Sequence, residues 1–413
     1  MWAGCHVTLR PPMPRHLPLR ISDLRGAARL ATDATTGLTD IVEAMHERIA
    51  RLPGCGTPLG GHAGGISGLV YKTVRGITRV VGGSIDGLLG LLNPSSSRDD
   101  TGPQREAIVA ALNGVLGDHL AATANPLGIT MAFRRGGQSL VLEKSALAQS
   151  VPNAGGRLLV LVHGLCMSDL QWSRDGHDHG AALAQELGFT PLYLHYNSGL
   201  HISINGRALA QQLELLLDCW PQPIERVALL AHSMGGLVAR SALHYAQQAS
   251  HHWPTRLDDL VFLGTPHHGA PLERVGHWID LVLGATSYAA PFARLTQVRS
   301  AGITDLRHGN LVDEDWAGRD RFERGADRRQ HLPLPDKLRC YAVAASAGRQ
   351  SGDLKDRLLG DGLVPLDSAL GRHSDPKRTL AFAEGRRCVV QGMNHMEMLG
   401  RAEVHAQLRQ WLA

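Results

Sequence analysis

The chain has 413 residues, 43% of them hydrophobic and 19% charged, ordinary globular usage that excludes a fibrous repeat and wholesale disorder. At two to three times the usual domain length of about 150 residues, it has room for one large domain or two smaller ones. The net charge of +4 comes without any block of basic residues, which excludes a nucleic-acid partner from the expectations.

The first twenty residues contain no apolar run of the kind a signal peptide needs, so a cytoplasmic location is expected. Ser22 is placed to cap a helix in which Leu24, Ala28, Ala31, Leu38, Ile41, Met45, Ile49 and Leu52 recur at helical spacing before Pro53-Gly54 stops it. The segment 66–92 is apolar enough to raise the question of a membrane span, but Lys72, Arg75, Arg79 and Asp86 interrupt it. Its basic residues cluster at spacings of three and four, away from most apolar ones. That pattern leaves two readings, a glycine-rich helix packed on the rest of the chain and a peripheral contact with a membrane surface. A polar linker at 94–100 follows, then a helix over 104–120 and a hairpin of 129–133 with 140–143 around Gly136-Gly137. Residues 1–150 are thus expected to form a mainly helical N-terminal region able to serve as a lid or membrane contact.

From about Gly156 short apolar strands alternate with helices, the pattern of an α/β fold with a mostly parallel sheet covered on both faces. Strands are expected at 158–162, 191–195, 227–231, 260–263, 339–345 and 388–391, and helices at 180–187, 206–219, 236–248 and 402–412. The interval from about 270 to 335 is too long for a simple connection and reads as an inserted cap within a domain spanning 151–413. Cys5, Cys55, Cys166, Cys219, Cys340 and Cys388 lie far apart, without the close pairing of a zinc or redox site, and are read as free thiols.

The sharpest local signal is the strand 227–231 running through Ala231-His232-Ser233-Met234-Gly235-Gly236 into a helix. Small residues two positions either side of Ser233 let a strained turn expose a hydroxyl, the form of a nucleophile elbow, although a serine merely capping the helix is the plainer alternative. A second buried strand ends in His163-Gly164-Leu165, where a loop can bring a backbone amide towards the same point. Two such donors, assigned to Leu165 and Met234, would stabilise the negative oxygen of a tetrahedral intermediate by about 3 kcal/mol each. His163 itself is read as a packed or turn histidine. Serine is a poor nucleophile until a base takes its proton and a carboxylate fixes that base. Asp361, between Gly360 and Gly362, and His395, after the last strand, supply these in the chain order Ser, Asp, His; Asp353, Asp367 and His373 are the rivals.

With Gly264-Thr265-Pro266-His267-His268-Gly269 and Asn394-His395 added, these stretches resemble serine α/β-hydrolases of the lipase type, including bacterial lipases and GPI inositol-deacylase-like esterases. The resemblance covers about 156 to the C-terminus. It implies that Ser233 attacks an ester carbonyl, His395 carries the proton, Asp361 orients His395, and water releases the acyl group. The substrate expected is an apolar acyl ester, a small molecule or a lipid. No cofactor is expected, and no metal, because the neighbouring His267 and His268 diverge in direction and lack companions at ligand spacing. An acyltransferase using the same three residues, and a hydrolase fold without catalysis at a membrane, are the alternatives. Tyr196-Asn197-Ser198-Gly199 is read either as part of the site wall or as a turn, and Trp278 and Trp316 either as cap residues over the site or as core.

Overall fold

The computed structural model describes residues 20–50, 103–270, 300–319, 327–348 and 360–413, with side chains of 37–50 and of 103–104 left aside. The segments 66–92 and 94–100, most of the expected cap, Asp353, Trp278, Cys5 and Cys55 lie outside the described residues.

The sheet has eight strands: β1 (Ala132–Arg135), β2 (Gln138–Ser139), β3 (Arg157–Val162), β4 (Thr190–His195), β5 (Arg226–His232), β6 (Leu257–Leu263), β7 (Arg339–Ser346) and β8 (Arg387–Gln391), in the spatial order β2-β1-β4-β3-β5-β6-β7-β8. From β4 to β8 all pairings are parallel, while β1 runs antiparallel to both β2 and β4. The hairpin lies upstream of residue 151 yet forms one edge of this sheet, so the sheet extends beyond the boundary expected from composition. The reason is local: Phe133 buries its ring completely while Ala132, Arg134 and Arg135 stay partly exposed, which suits a strand near the sheet edge with one covered face.

The described helices are α1 (Ile21–Ala50), α2 (Pro103–Ala122), α3 (Lys144–Ser150), α4 (His179–Leu187), α5 (Ile202–Asp218), α6 (Met234–Gln248), α7 (Ala301–His308) and α8 (Ala402–Leu412). Helix α1 begins one residue before Ser22; Asp23, not Ser22, closes its first turn by accepting from the Arg20 amide at 2.9 Å. Central strands read as continuous apolar runs because both faces are covered. Along β3, Leu158, Val160 and Val162 pack with residues of α2, α5 and α6, and Leu159 and Leu161 pack with Leu183 of α4 and with Leu408 and Leu412 of α8. Each such fully buried side chain stabilises the fold by about 1.5–3 kcal/mol.

Successive strands step from β3 outward to β4 and then back across β3 to β5. In a parallel sheet this reversal opens a crevice at the strands' carboxyl ends, between the loops that leave β3 and β5. Cys166, Cys219, Cys340 and Cys388 are free thiols. Among the described residues, no helix is long and apolar enough to cross a membrane.

Candidate active site

Ser233 is the single residue between β5 and α6, with φ 57° and ψ −126°. A non-glycine residue held there costs on the order of 1–3 kcal/mol, so the surroundings must impose it. They do so through small neighbours and three strand ends. The Ser233 amide donates to the Leu263 carbonyl at the end of β6 (2.8 Å), and the Gly236 amide donates to the Ser233 carbonyl (3.0 Å). A side chain on Gly235 would collide with the Val162 and His163 carbonyls at the end of β3. The Ser233 hydroxyl makes no capping hydrogen bond and, fully buried, has no hydrogen-bond partner among the described residues. The plain helix-cap reading therefore does not describe it.

His395 follows β8 and is fully buried. Its loop is fixed by Asn394, whose Oδ1 accepts from the amides of Met396 and Glu397 at 3.0 Å each. Asp361, in the loop between β7 and the turn at Leu366–Ala369, uses Oδ1 to accept from the Leu363 (3.0 Å) and Val364 (2.8 Å) amides. Its Oδ2 accepts from His395 Nδ1 at 2.6 Å. A carboxylate only accepts, so the proton of this bond sits on Nδ1 and the basic lone pair on Nε2. Ser233 and His395 meet at Gly264. The residue before it takes the Ser233 amide hydrogen, and a Cβ on Gly264 would stand 2.9 Å from His395 Cε1. The structure thus brings Ser233, Asp361 and His395 to one place. Of the rivals, Asp367 pairs with Arg372 (3.4 Å) and His373 lies 3.5 Å from Asp327.

The loop after β3 lies against the serine, a Cβ on Gly164 standing 3.0 Å from Ser233 Cβ. The loop is propped from behind. His163 stacks on Tyr196 with ring centres 4.3 Å apart, and its Nδ1 donates to the Gly164 carbonyl at 2.9 Å. Burial pushes the His163 imidazole down to about 3, against the opposing pull of that hydrogen bond, so it is neutral and packed. Tyr196 donates its hydroxyl to the His163 carbonyl (2.8 Å), and Ser198 Oγ accepts from the amide of Cys166, a residue at φ 60° (3.0 Å). The stretch 196–199 is therefore a brace for this loop.

Helix α2 packs against the same loop: a Cβ on Gly114 would collide with Cys166 Sγ, and Asn197 Nδ2 donates to the Gly117 carbonyl at 2.9 Å. Helix α7, in the expected cap, is tied to α2 by Ser300 Oγ donating to the Gly114 carbonyl (2.6 Å) and by the Ala301 amide donating to Asp118 (3.0 Å). Trp316 stacks on His201 with ring centres 3.6 Å apart and donates Nε1 to Ser203 Oγ (3.0 Å), so it packs on the start of α5.

His232 was not singled out in the sequence. Its ring centre lies 4.7 Å from that of His395, and its Nε2 donates to the His395 carbonyl at 3.3 Å. Burial, then the neighbouring His395, holds it well below the ordinary imidazole range. Its signal was its place beside the serine, on the strand face it shares with Leu230. His267 lies against Phe262 and Arg240, whereas His268 Nε2 donates to the Gly371 carbonyl at 3.2 Å. These adjacent imidazoles do not converge.

Among the described residues, two other groups bring three metal-ligand atoms within 4.8 Å of one another: Glu106, Asp169 and His195, and His177, His179 and His405. The first already holds a cation, Arg134 Nη1 lying 2.8 Å from Glu106 Oε2 and 3.1 Å from Asp169 Oδ1.

A mostly parallel sheet with helices on both faces, and a serine on the strained turn after its central strand, define an α/β-hydrolase fold. Residues 153–328, less than half of the chain, match the family described as the PGAP1-like alpha/beta domain, in accord with the resemblance to GPI inositol-deacylase-like proteins. The matched stretch contains Leu165, Ser233 and 264–269 and ends before Asp361 and His395. No curated protein sequence matches the chain. Solved structures similar to it include a Bacillus licheniformis lipase in mature form (19% identity, TM-score 0.38, covering 62% of this chain and 92% of that one). A Pyrococcus furiosus esterase (12% identity, TM-score 0.36, covering 63% and 80%) is another. A metagenomic carboxyl esterase (15% identity, TM-score 0.35, covering 71% and 80%) is a third.

Proposed function

We propose that the protein is a serine carboxylic-ester hydrolase acting on an apolar acyl ester. The observation that carries this reading is the buried 2.6 Å hydrogen bond between Asp361 and His395, set beside a serine held at φ 57°. Asp361 keeps the His395 proton on Nδ1, so Nε2 can take the Ser233 proton as Oγ attacks the ester carbonyl carbon. The amides of Leu165 and Met234 would then hold the oxygen that gains the negative charge. His395 returns its proton to the leaving alcohol, and water, deprotonated by the same nitrogen, releases the acid from the acyl-enzyme. An apolar acyl group is supported by two buried methionines beside the glycines that lie against Ser233 and His395. Met167 Sδ would stand 3.3 Å from a Cβ on Gly164, and Met398 Cε lies against Gly264.

The test is fluorophosphonate labelling of wild type and Ser233→Ala, read by intact mass, together with turnover of esters of increasing acyl length. One adduct, lost in Ser233→Ala, is expected, with turnover falling on the order of 10⁵- to 10⁶-fold. Because Ser233 is fully buried, whatever covers Oγ must move first, so labelling should accelerate in the presence of lipid micelles. Undiminished labelling of Ser233→Ala, or no labelling of folded wild type even with micelles, would overturn the proposal.

A further inference from the structure

The second histidine group lies outside the machinery described above and is arranged in a way that packing alone does not require. His177 ends a tight turn in which it exchanges both backbone hydrogen bonds with Arg174 (2.8 and 2.9 Å); His179 opens α4; His405 sits in α8. Their rings gather with centres 4.7, 5.1 and 5.8 Å apart.

The hydrogen bonds on the far side of two rings fix where their lone pairs point. His179 Nε2 lies 2.8 Å from the Met398 carbonyl, which can only accept, so His179 carries its proton there and its Nδ1 is a bare lone pair. His405 Nε2 lies 3.2 Å from both oxygens of Glu186, which likewise makes Nε2 the donor and leaves Nδ1 bare. That Nδ1 is buried and has no hydrogen-bond partner among the described residues. The third ring places Nε2 2.8 Å from His179 Nδ1, joined to it by one proton. A carbonyl behind His179 and a carboxylate behind His405, each holding the tautomer of its ring, are the kind of outer shell that metal-binding histidines carry.

We infer that His177, His179 and His405 form a binding site for a divalent transition-metal ion of the zinc type, with water as the fourth ligand. The donor set is nitrogen-rich and lacks the oxygen cage that calcium or magnesium requires. Metal–nitrogen bonds of about 2.0–2.1 Å in a tetrahedron put the nitrogens about 3.3 Å apart, so the 2.8 Å pair must open slightly and the wider ones close. His177 and His405 are only partly buried, so both rings can make that adjustment. On binding, the proton between His177 and His179 passes through solvent to His177 Nδ1, and all three rings stay neutral. The ion would pin α8 and the Met398 loop to the start of α4. None of its three ligands is among the residues of the proposed catalytic site, so the role inferred for it is structural.

The experiment is a Co²⁺ titration of untagged, chelator-treated full-length protein, followed by the visible d–d absorption of four-coordinate cobalt. Expected are saturation at one equivalent, loss of the band on adding Zn²⁺, and a rise of several degrees in Tm with Zn²⁺. His177→Ala and His405→Ala should each abolish the band, and Glu186→Gln should weaken binding about tenfold while keeping it. Far-UV circular dichroism checks that each variant is folded. No saturable band in folded wild type, or the same band in both folded histidine variants, would overturn the assignment.

Discussion

Two buried imidazole–carboxylate pairs stand near the carboxyl ends of this sheet, and they differ in what else touches the carboxylate. Asp361 is held by two backbone amides and His395, with no guanidinium or ammonium group recorded against it among the described residues. Asp169 lies 3.3 Å from His195 and also 3.1 Å from Arg134. Arg134 in turn reaches Glu106, which reaches Arg105, which clamps Asp23. Burial alone would push the Asp169 carboxyl up, but His195 and Arg134 outweigh it and leave it lowered. A permanent cation neutralises the second pair, so its charge never needs to change. The carboxylate of the first pair accepts from two backbone amides and from His395, an arrangement that on the proposed function serves an imidazole that gains and loses a proton. On that reading the same two residue types make a joint in one place and a proton carrier in the other.

The largest break between the two should appear on removing each acid. Asp361→Asn is expected to lower kcat about 10⁴-fold, because an amide no longer fixes the His395 proton on Nδ1. Asp169→Asn should leave kcat within about threefold, the usual scale of a change remote from the chemistry, while lowering the melting temperature. Steady-state ester hydrolysis and circular-dichroism melts on both variants measure this. Equal losses of kcat would mean that Asp169 also serves the reaction.

A smaller effect, confined to stability, is expected from Arg134→Met. It leaves Glu106 and Asp169 facing each other in a buried site without their shared cation, a change that costs about 3–5 kcal/mol. Because the network joins α1, α2, β1 and the turn at Asp169–Trp172, the N-terminal layer should loosen first. Limited proteolysis against ester turnover separates the two regions. Early cleavage before residue 130 with kcat retained supports the distinction, and unaltered proteolysis and melting would remove it.

The contrast also explains what could be read from the chain and what could not. The core strands announce themselves because each must be apolar along its whole length: the sequence points to 158–162 and Arg157–Val162 is found, and it points to 227–231 and Arg226–His232 is found. Ser233, Asp361 and His395 are legible because each stands in a turn or loop that follows a strand, Asp361 between two glycines, in the chain order Ser, Asp, His. The salt-bridge network was invisible, since Asp23, Glu106, Arg134 and Asp169 carry no periodicity and meet only through the tertiary fold. The hairpin was seen but placed outside the domain, because β1 pairs with β4 across some sixty intervening residues. His177, His179 and His405 were missed for the same reason, the third lying in the last helix. The brace at 196–199 was only half legible, its turn apparent but its target, the loop after β3, not.

The smallest expected effect concerns pH, and it separates the regions by window. His163 has a folded value of about 3 against about 6.5 in an unfolded chain, so between these values the unfolded state binds one more proton. Its contribution is whole above pH 6.5 and is lost as pH falls from there towards 3, at about 1.4 kcal/mol per pH unit. The lowered carboxyl of Asp169 behaves oppositely in position. Its contribution is whole above the ordinary aspartate value of 3.8 and fades only below it. Acid should therefore weaken the loop beside Ser233 before it reaches the N-terminal network. His163→Phe keeps a ring for Tyr196 to stack on and removes the proton site. Denaturant unfolding at several pH values between 4 and 6 should then show a slope shallower than wild type by about 1.4 kcal/mol per unit. A slope unchanged by the substitution would mean that the proton sensitivity resides in other buried histidines, His232 first, whose imidazole is also held far below its usual range.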